Sequence, residues 1–330
     1  MSIITVEHLK SFFKTDEGIV KAVDDISFEL KENEILAIVG ESGCGKSVTA
    51  QTIMGLLKCP PAMIKGSIKY HDQELVGLPN KAYHKLRGRE IGMIFQEPMS
   101  AFDPLYTVGE QAAEAVAVHS SLSKFEIRKK IIAMFNKVGI PEPENRYDEY
   151  PHQMSGGMLQ RMLIALTLAC DPNVLIADEP TTALDVTIQA QVLNLMRDLQ
   201  KEFHTSIIFI THDLGVVAEL SDRIHVMYAG KIVEKANVID LFDHPKHPYT
   251  KGLLASRLRR ELKGEILPYI KGTVPRAFEF PKGCRFHPRC PHAMNICQQQ
   301  DPEPVMFDNG QVCSCWLYAK QKKKAGVDKR

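Results

Sequence analysis

Apolar and polar positions alternate from Thr5 to roughly Leu30, through Ala22-Val23-Asp24-Asp25-Ile26-Ser27-Phe28-Glu29-Leu30. That period of two predicts short antiparallel strands. The pattern then changes to an unbroken apolar run, Ile35-Leu36-Ala37-Ile38-Val39, which predicts a buried strand followed by a glycine loop and a helix over roughly 35–57. Two further strands are predicted at Ser67–Tyr70 and Ile91–Phe95. Roughly 105–170 has helical spacing, broken around Pro141-Glu142-Pro143. Three more buried strands follow, Val174–Ala177, Ile207–Thr211 and Ile224–Tyr228, with a helix from Val186 to Glu202 between the first two. Strands alternating with helices indicate an α/β fold built on a parallel or mixed sheet.

Composition changes that picture in two places. Beyond Arg260, Pro and Cys rise and apolar periodicity fades, which places a domain boundary at 258/259. Residues 259–330 then form a small irregular extension, ending in the basic stretch Lys320-Gln321-Lys322-Lys323-Lys324, which reads as a solvated tail. The 330 residues carry a net charge of +1, so no global field recruits nucleic acid or anionic lipid. No apolar run approaches a bilayer's thickness, and the N-terminus lacks a basic region followed by an apolar core. The cytoplasm is the expected compartment, so a role at a membrane requires a membrane-embedded partner.

The chemistry begins at Gly40-Glu41-Ser42-Gly43-Cys44-Gly45-Lys46-Ser47, a G-x-x-x-x-G-K-S sequence directly after the predicted strand. The glycines admit backbone angles that turn N–H groups inward onto a phosphate chain. Lys46 supplies charge for the β- and γ-phosphates and Ser47 a hydroxyl for Mg²⁺, while the helix that begins here adds its positive end, so that Gly40 to Val48 is the expected nucleotide-binding stretch. These residues predict nucleoside triphosphate binding. A second element fits the same ligand. Val174-Leu175-Ile176-Ala177 runs into Asp178-Glu179, placing one carboxylate at a strand end for Mg²⁺ and the next for polarising an attacking water.

Further marks carry a family resemblance over roughly residues 5–240: Gln96 after Phe95, Ser155-Gly156-Gly157 upstream of the Asp-Glu strand, Ala183-Leu184-Asp185 after it, and Thr211-His212-Asp213 ending the next strand. The chain resembles the ATP-binding cassette ATPases. The resemblance implies a phosphate-loop core with an antiparallel β subdomain and a helical subdomain at about 98–170. It also implies a head-to-tail dimer in which each ATP lies between one phosphate loop and the other chain's Ser-Gly-Gly segment. On that basis Gln96 reaches Mg²⁺ and the attacking water, His212 contacts the γ-phosphate, Asp185 links the two sites, and Phe13 stacks on adenine, with Phe12 its neighbour. From the residues themselves, Ser155 is an N-cap whose helix start presents Gly156 and Gly157 N–H groups to an anion. Met158 stands where the family usually has Gln, which affects a side-chain contact and not the backbone ones.

Five of the eight cysteines follow residue 280: Cys284, Cys290, Cys297, Cys313 and Cys315. A segment this short needs a cross-link. The C-x₅-C-x₆-C-x₁₇-C spacing lacks the paired C-x₂-C of many zinc sites, and four thiolates suit zinc or an iron–sulfur cluster about equally on ligand chemistry alone, with reduced free thiols as the plain reading. The tail, with His244-Pro245-Lys246-His247-Pro248-Tyr249 and Thr273-Val274-Pro275, resembles dipeptide/oligopeptide importer ATPases, some of which hold a [4Fe–4S] cluster. That resemblance implies Cys284, Cys290, Cys297 and Cys315 as ligands, with Cys313 competing for the fourth place. It implies a peptide-importing ATPase at the cytoplasmic face, working with a second related or identical ATPase, two transmembrane permease subunits and an extracytoplasmic binding protein. Nickel or oligosaccharide import, a soluble repair or translation ATPase, and a redox or iron sensor are the alternatives.

Overall fold

The computed structural model describes residues 1–182, 184–256 and 268–319. The boundary at 258/259, the basic tail from Lys320 and Ala183 lie outside the described residues. The chain divides into two compact units. Met1–Ile3, Leu30–Ile35 and Gly77–Ile210 form one, and Ile4–Glu29, Leu36–Val76 and the described residues from Thr211 onward form the other.

In the first unit, the strands Ile91–Ile94, Val174–Asp178 and Ser206–Thr211 pair in parallel. Every residue from Val174 to Asp178 is buried. An unbroken apolar strand of this kind suits a parallel sheet covered on both faces. One helix packs on this sheet and others pack on it in turn: Gly156–Leu168 packs on Ile91–Ile94, Lys124–Lys137 packs on Gly156–Leu168, and Val108–His119 packs on Lys124–Lys137. Two of these starts are locally encoded. Thr107 with Glu110, and Ser123 with Glu126, form reciprocal capping boxes in which each side chain satisfies the other residue's backbone N–H.

In the second unit, the strand order Gly18–Lys31, Ser2–Thr15, Ala62–Tyr70, Gln73–Glu74 makes one sheet. The first two strands are 14 residues each, longer than the short strands expected. Ile35–Val39 pairs in parallel with Arg223–Tyr228, which pairs antiparallel with Lys231–Asn237. That last strand was not expected. Its edge takes up Val312–Cys313, with Glu234 opposite Cys313, and Val305–Met306 follows. The cysteine-rich segment also joins the core of this unit. Phe286 is buried with Tyr228, Tyr249, Val226 and Leu241, and Val274, Phe280, Cys284 and Cys290 pack against that cluster. Too polar to enclose a core alone, the segment shares one.

Candidate functional site

The glycine loop is shaped by close approach. Gly45 has φ of +105°, and a Cβ there would stand 2.2 Å from the Ala22 carbonyl oxygen. A Cβ on Gly40 would stand 2.1 Å from the Met227 carbonyl oxygen. Only glycine fits either place. The buried Lys46 side chain spans the loop, donating to the carbonyls of Gly40 at 2.8 Å and Glu41 at 3.3 Å. The helix Lys46–Ile53 starts at Gly45 with no side-chain cap, unlike the helices after Thr107, Ser123, Ser155 and Asp185. A helix start presents the positive end of its dipole to an anion. Ser42 and Gly43 are exposed at the loop's tip, while Cys44 is buried and its thiol is pushed up by that burial.

Phe13 and Phe12 point to opposite faces of their strand. The buried Ser11 hydroxyl bonds Thr52 of the loop's own helix at 3.0 Å. Phe13, two residues on, shares that face, whereas Phe12 lies under the Lys21 ammonium at 5.9 Å. Thr211 ends its strand, His212 is exposed, and Asp213 caps Leu214–Leu220 by accepting from Gly215 N–H.

The other candidate residues lie in the first unit. Asp178 is buried at the end of its strand. Glu179 follows with φ of +48°, a conformation a non-glycine residue adopts at a cost. Its N–H donates to the Ile210 carbonyl at 2.9 Å. Its Oε2 accepts from Gln96 Nε2 at 3.3 Å and from Thr182 Oγ1 at 3.0 Å. The structure thus brings Gln96 and Glu179 together across 83 residues of sequence. Thr182 was not singled out. Its position three residues beyond a candidate base, at a sharp turn, is the signal that could have found it.

Ser155 accepts from Met158 N–H at 3.3 Å, and Asp185 accepts from Ile188 N–H at 3.0 Å. The two helix starts open on one concave pocket of 520 Å³, lined by Ser155, Gly156, Gly157, Arg161, Asp185 and Ile188 among others. A Cβ on Gly156 would meet nothing within 4 Å, so no neighbour within the described chain demands glycine there.

The cysteines do not assemble as expected. All eight are free thiols, and among the described residues no group of three or more His, Cys, Asp or Glu side chains is placed to hold a metal ion. Burial pushes the Cys284 thiol up to about 12 and raises Cys290. Cys315 is held down at about 7 by the hydrogen bond that Cys313 donates to it. A [4Fe–4S] site on Cys284, Cys290, Cys297 and Cys315 therefore finds no support in this donor geometry. Cys284 does lie within electrostatic reach of the other three.

Residues 23–182 match the family model "ABC transporter", and 233–297 match "Oligopeptide/dipeptide transporter, C-terminal region". The chain is 49% identical over 318 residues to the dipeptide transport ATP-binding protein DppD of Bacillus subtilis, covering 96% of this chain and 94% of that one. This protein is an ABC transporter ATP-binding subunit. To the oligopeptide transport ATP-binding protein OppD of Escherichia coli it is 46% identical, covering 96% of this chain and 93% of that one. A solved dimeric ATP-binding cassette in a post-hydrolysis state with ADP and Pi superposes with a TM-score of 0.65 at 26% identity, over 71% of this chain and 98% of that one. The fold is accordingly that of the ABC ATPases, and the activity of the family is ATP hydrolysis that drives transport. ATP and Mg²⁺ are the ligands expected of an ABC ATPase, and pairing with a second ATPase and with membrane permease components is general for the family. Among the described residues no helix of the ABC ATPase is long and apolar enough to cross a membrane.

Proposed function

We propose that this ABC ATPase energises the import of dipeptides or oligopeptides from the cytoplasmic face of the membrane. The observation that carries the substrate class is the match of residues 233–297 to the oligopeptide/dipeptide transporter C-terminal region, joined to near full-length similarity to peptide transport ATP-binding proteins. The nucleotide-binding domain is assigned to 1–258, with its helical subdomain at about 98–170, and the extension to 259–330.

Within that reading the loop from Gly40 to Val48 cradles the triphosphate and Lys46 pairs with its terminal phosphates. Ser47, Asp178 and Gln96 would hold Mg²⁺, which when bound would neutralise charge on the phosphates. Glu179 accepts the proton of the attacking water, Thr182 and Gln96 fix its carboxylate, and His212 meets the γ-phosphate. Phe13 stacks on adenine, an assignment supported by its shared face with Ser11. Ser155, Gly156 and Gly157 grip the ATP of a second ATPase, and Asp185 links the sites. The open space over Gly156 and the pocket it lines support this role. The motion passes to two permease subunits, with an extracytoplasmic binding protein delivering substrate. A cell lacking this chain should lose uptake of labelled oligopeptide and regain it with the wild-type chain but not with Glu179→Gln. Loss of nickel or oligosaccharide uptake, with peptide uptake intact, would reassign the cargo.

A [4Fe–4S] cluster on Cys284, Cys290, Cys297 and Cys315 is a second reading, favoured by the electrostatic proximity of these four thiols. Anaerobically purified protein should then contain iron and sulfide and show a brown charge-transfer band. Stoichiometric zinc, or neither metal, rejects it.

A further inference from the structure

The first variable residue of the phosphate loop is an acid. A carboxylate beside a triphosphate site repels its ligand and competes with it for Lys46. The structure shows what restrains Glu41. Arg289 closes on it with two hydrogen bonds, NH1 to Oε2 at 2.7 Å and NH2 to Oε1 at 3.1 Å. The Arg289 side chain is 6% exposed. It is itself fixed, donating from Nε to the Lys271 carbonyl at 3.1 Å and from NH1 to the Tyr228 hydroxyl at 3.4 Å. The other end of Glu41 is tied down as well, because its N–H donates to the Tyr249 hydroxyl at 3.0 Å. Tyr249 is fully buried and packs on Tyr228 and Phe286, with ring centroids 4.6 and 5.4 Å away. The Glu41 carbonyl meanwhile accepts from Lys46. One loop residue thus receives the catalytic-loop lysine on its carbonyl, while two residues from the C-terminal part of the chain hold its amide and carboxylate.

We propose that Arg289 is a positioning residue for nucleotide binding: it holds the Glu41 carboxylate away from Lys46, so that the lysine stays available to phosphate. A bidentate guanidinium neutralises the acid and sets its direction at once, which a lysine cannot do. The cysteine-bearing segment is therefore a working part of the ATP site, connected to it by this pair. The inference rests on the phosphate loop being the nucleotide site, and Lys46→Ala tests that separately.

The test is equilibrium binding of radiolabelled ATP with Mg²⁺ to the purified full chain, together with steady-state hydrolysis. Arg289→Ala should weaken ATP affinity about 10-fold or more, since it strands a partly buried charge, while kcat at saturating ATP stays within about twofold. Arg289→Lys should fall between, at about threefold, and serves if the alanine variant does not fold. Adding Glu41→Gln to Arg289→Ala should restore affinity to within about threefold, because the competing carboxylate is gone. A merely structural role for Arg289 predicts no such rescue. Wild-type affinity in both Arg289 variants, or a double variant as weak as Arg289→Ala, overturns the proposal. If Lys46→Ala also binds normally, the nucleotide-site reading itself has failed.

Discussion

Glu179 shows how much chemistry one residue position can carry. Its backbone sits at φ of +48°, directly after a buried strand, and its carboxylate is held by Gln96 and Thr182. Glu179→Gln keeps the shape and removes the proposed base. ATP binding should persist while hydrolysis falls by 10²–10⁴-fold. Thr182→Ala leaves the base in place but loosens it, so a smaller loss of kcat, about 10-fold, with unchanged ATP affinity is expected from the same assay. An undiminished rate in Thr182→Ala would show that its hydrogen bond does not set the orientation of Glu179. Sequence and resemblance assigned Gln96 and Glu179 each to the attacking water without pairing them, and the structure sets Gln96 Nε2 3.3 Å from Glu179 Oε2. Sequence alone did not read Thr182, whose hydroxyl matters only because the strained turn at Glu179 folds the chain back. Nor did it read the Arg289–Glu41 pair, whose partners are 248 residues apart. Local patterns hold no trace of such a pair until the fold exists.

At the scale of elements, the sequence was most legible where one rule acted alone. The parallel strands announced themselves as apolar runs, and roughly 105–170 as a helical stretch broken around Pro141-Glu142-Pro143 with Ser155 as a cap, whereas the capping boxes at Thr107 and Ser123 were not read. Thr107 and Ser123 each serve a capping box, so replacing either by Ala should cost about 1 kcal/mol of stability, read from chemical denaturation. A cost near zero would mean that packing alone places those helices. The glycine loop behaves differently. Gly45→Ala places a Cβ against the Ala22 carbonyl, and that backbone atom cannot swing aside as a side chain would. Strand Lys231–Asn237 was missed because Lys231, Glu234 and Lys235 break the apolar signal. Glu234 is buried there nonetheless, accepting from the N–H groups of Lys246 and His247 and from Gln311 Nε2.

At the scale of the whole molecule, the change in composition past Arg260 suggested a separate appendage. The described residues from 268 onward instead share the core and sheet of the unit that holds the phosphate loop. Ending the chain after Ser256 removes Phe286, Arg289 and the strand at 312–313. Melting at a clearly lower temperature is expected, with loss of ATP affinity, and a wild-type melting curve would contradict the shared core. Acid should weaken the same unit. His225 and His247 are buried and uncharged, with His247 held down at about 3 and His225 well below its ordinary range, in both cases by burial. As pH falls below about 6.5, the unfolded chain gains protons that the folded one refuses, so stability drops toward low pH. For His247 the loss is roughly 1 kcal/mol between pH 7.5 and 5.5. His247→Asn, which retains an acceptor near the Tyr249 N–H, should flatten the acid side of the stability profile. An unchanged slope would assign the loss to other groups.

The central claim is that this chain turns over ATP at the loop from Gly40 to Ser47, using Glu179, to drive transport. Phosphate release from Mg-ATP, measured beside ATP binding for the wild-type chain, Lys46→Ala and Glu179→Gln, tests it most directly. The account predicts turnover in the wild type, loss of both binding and turnover in Lys46→Ala, and binding without turnover in Glu179→Gln. Hydrolysis that survives both substitutions would contradict it.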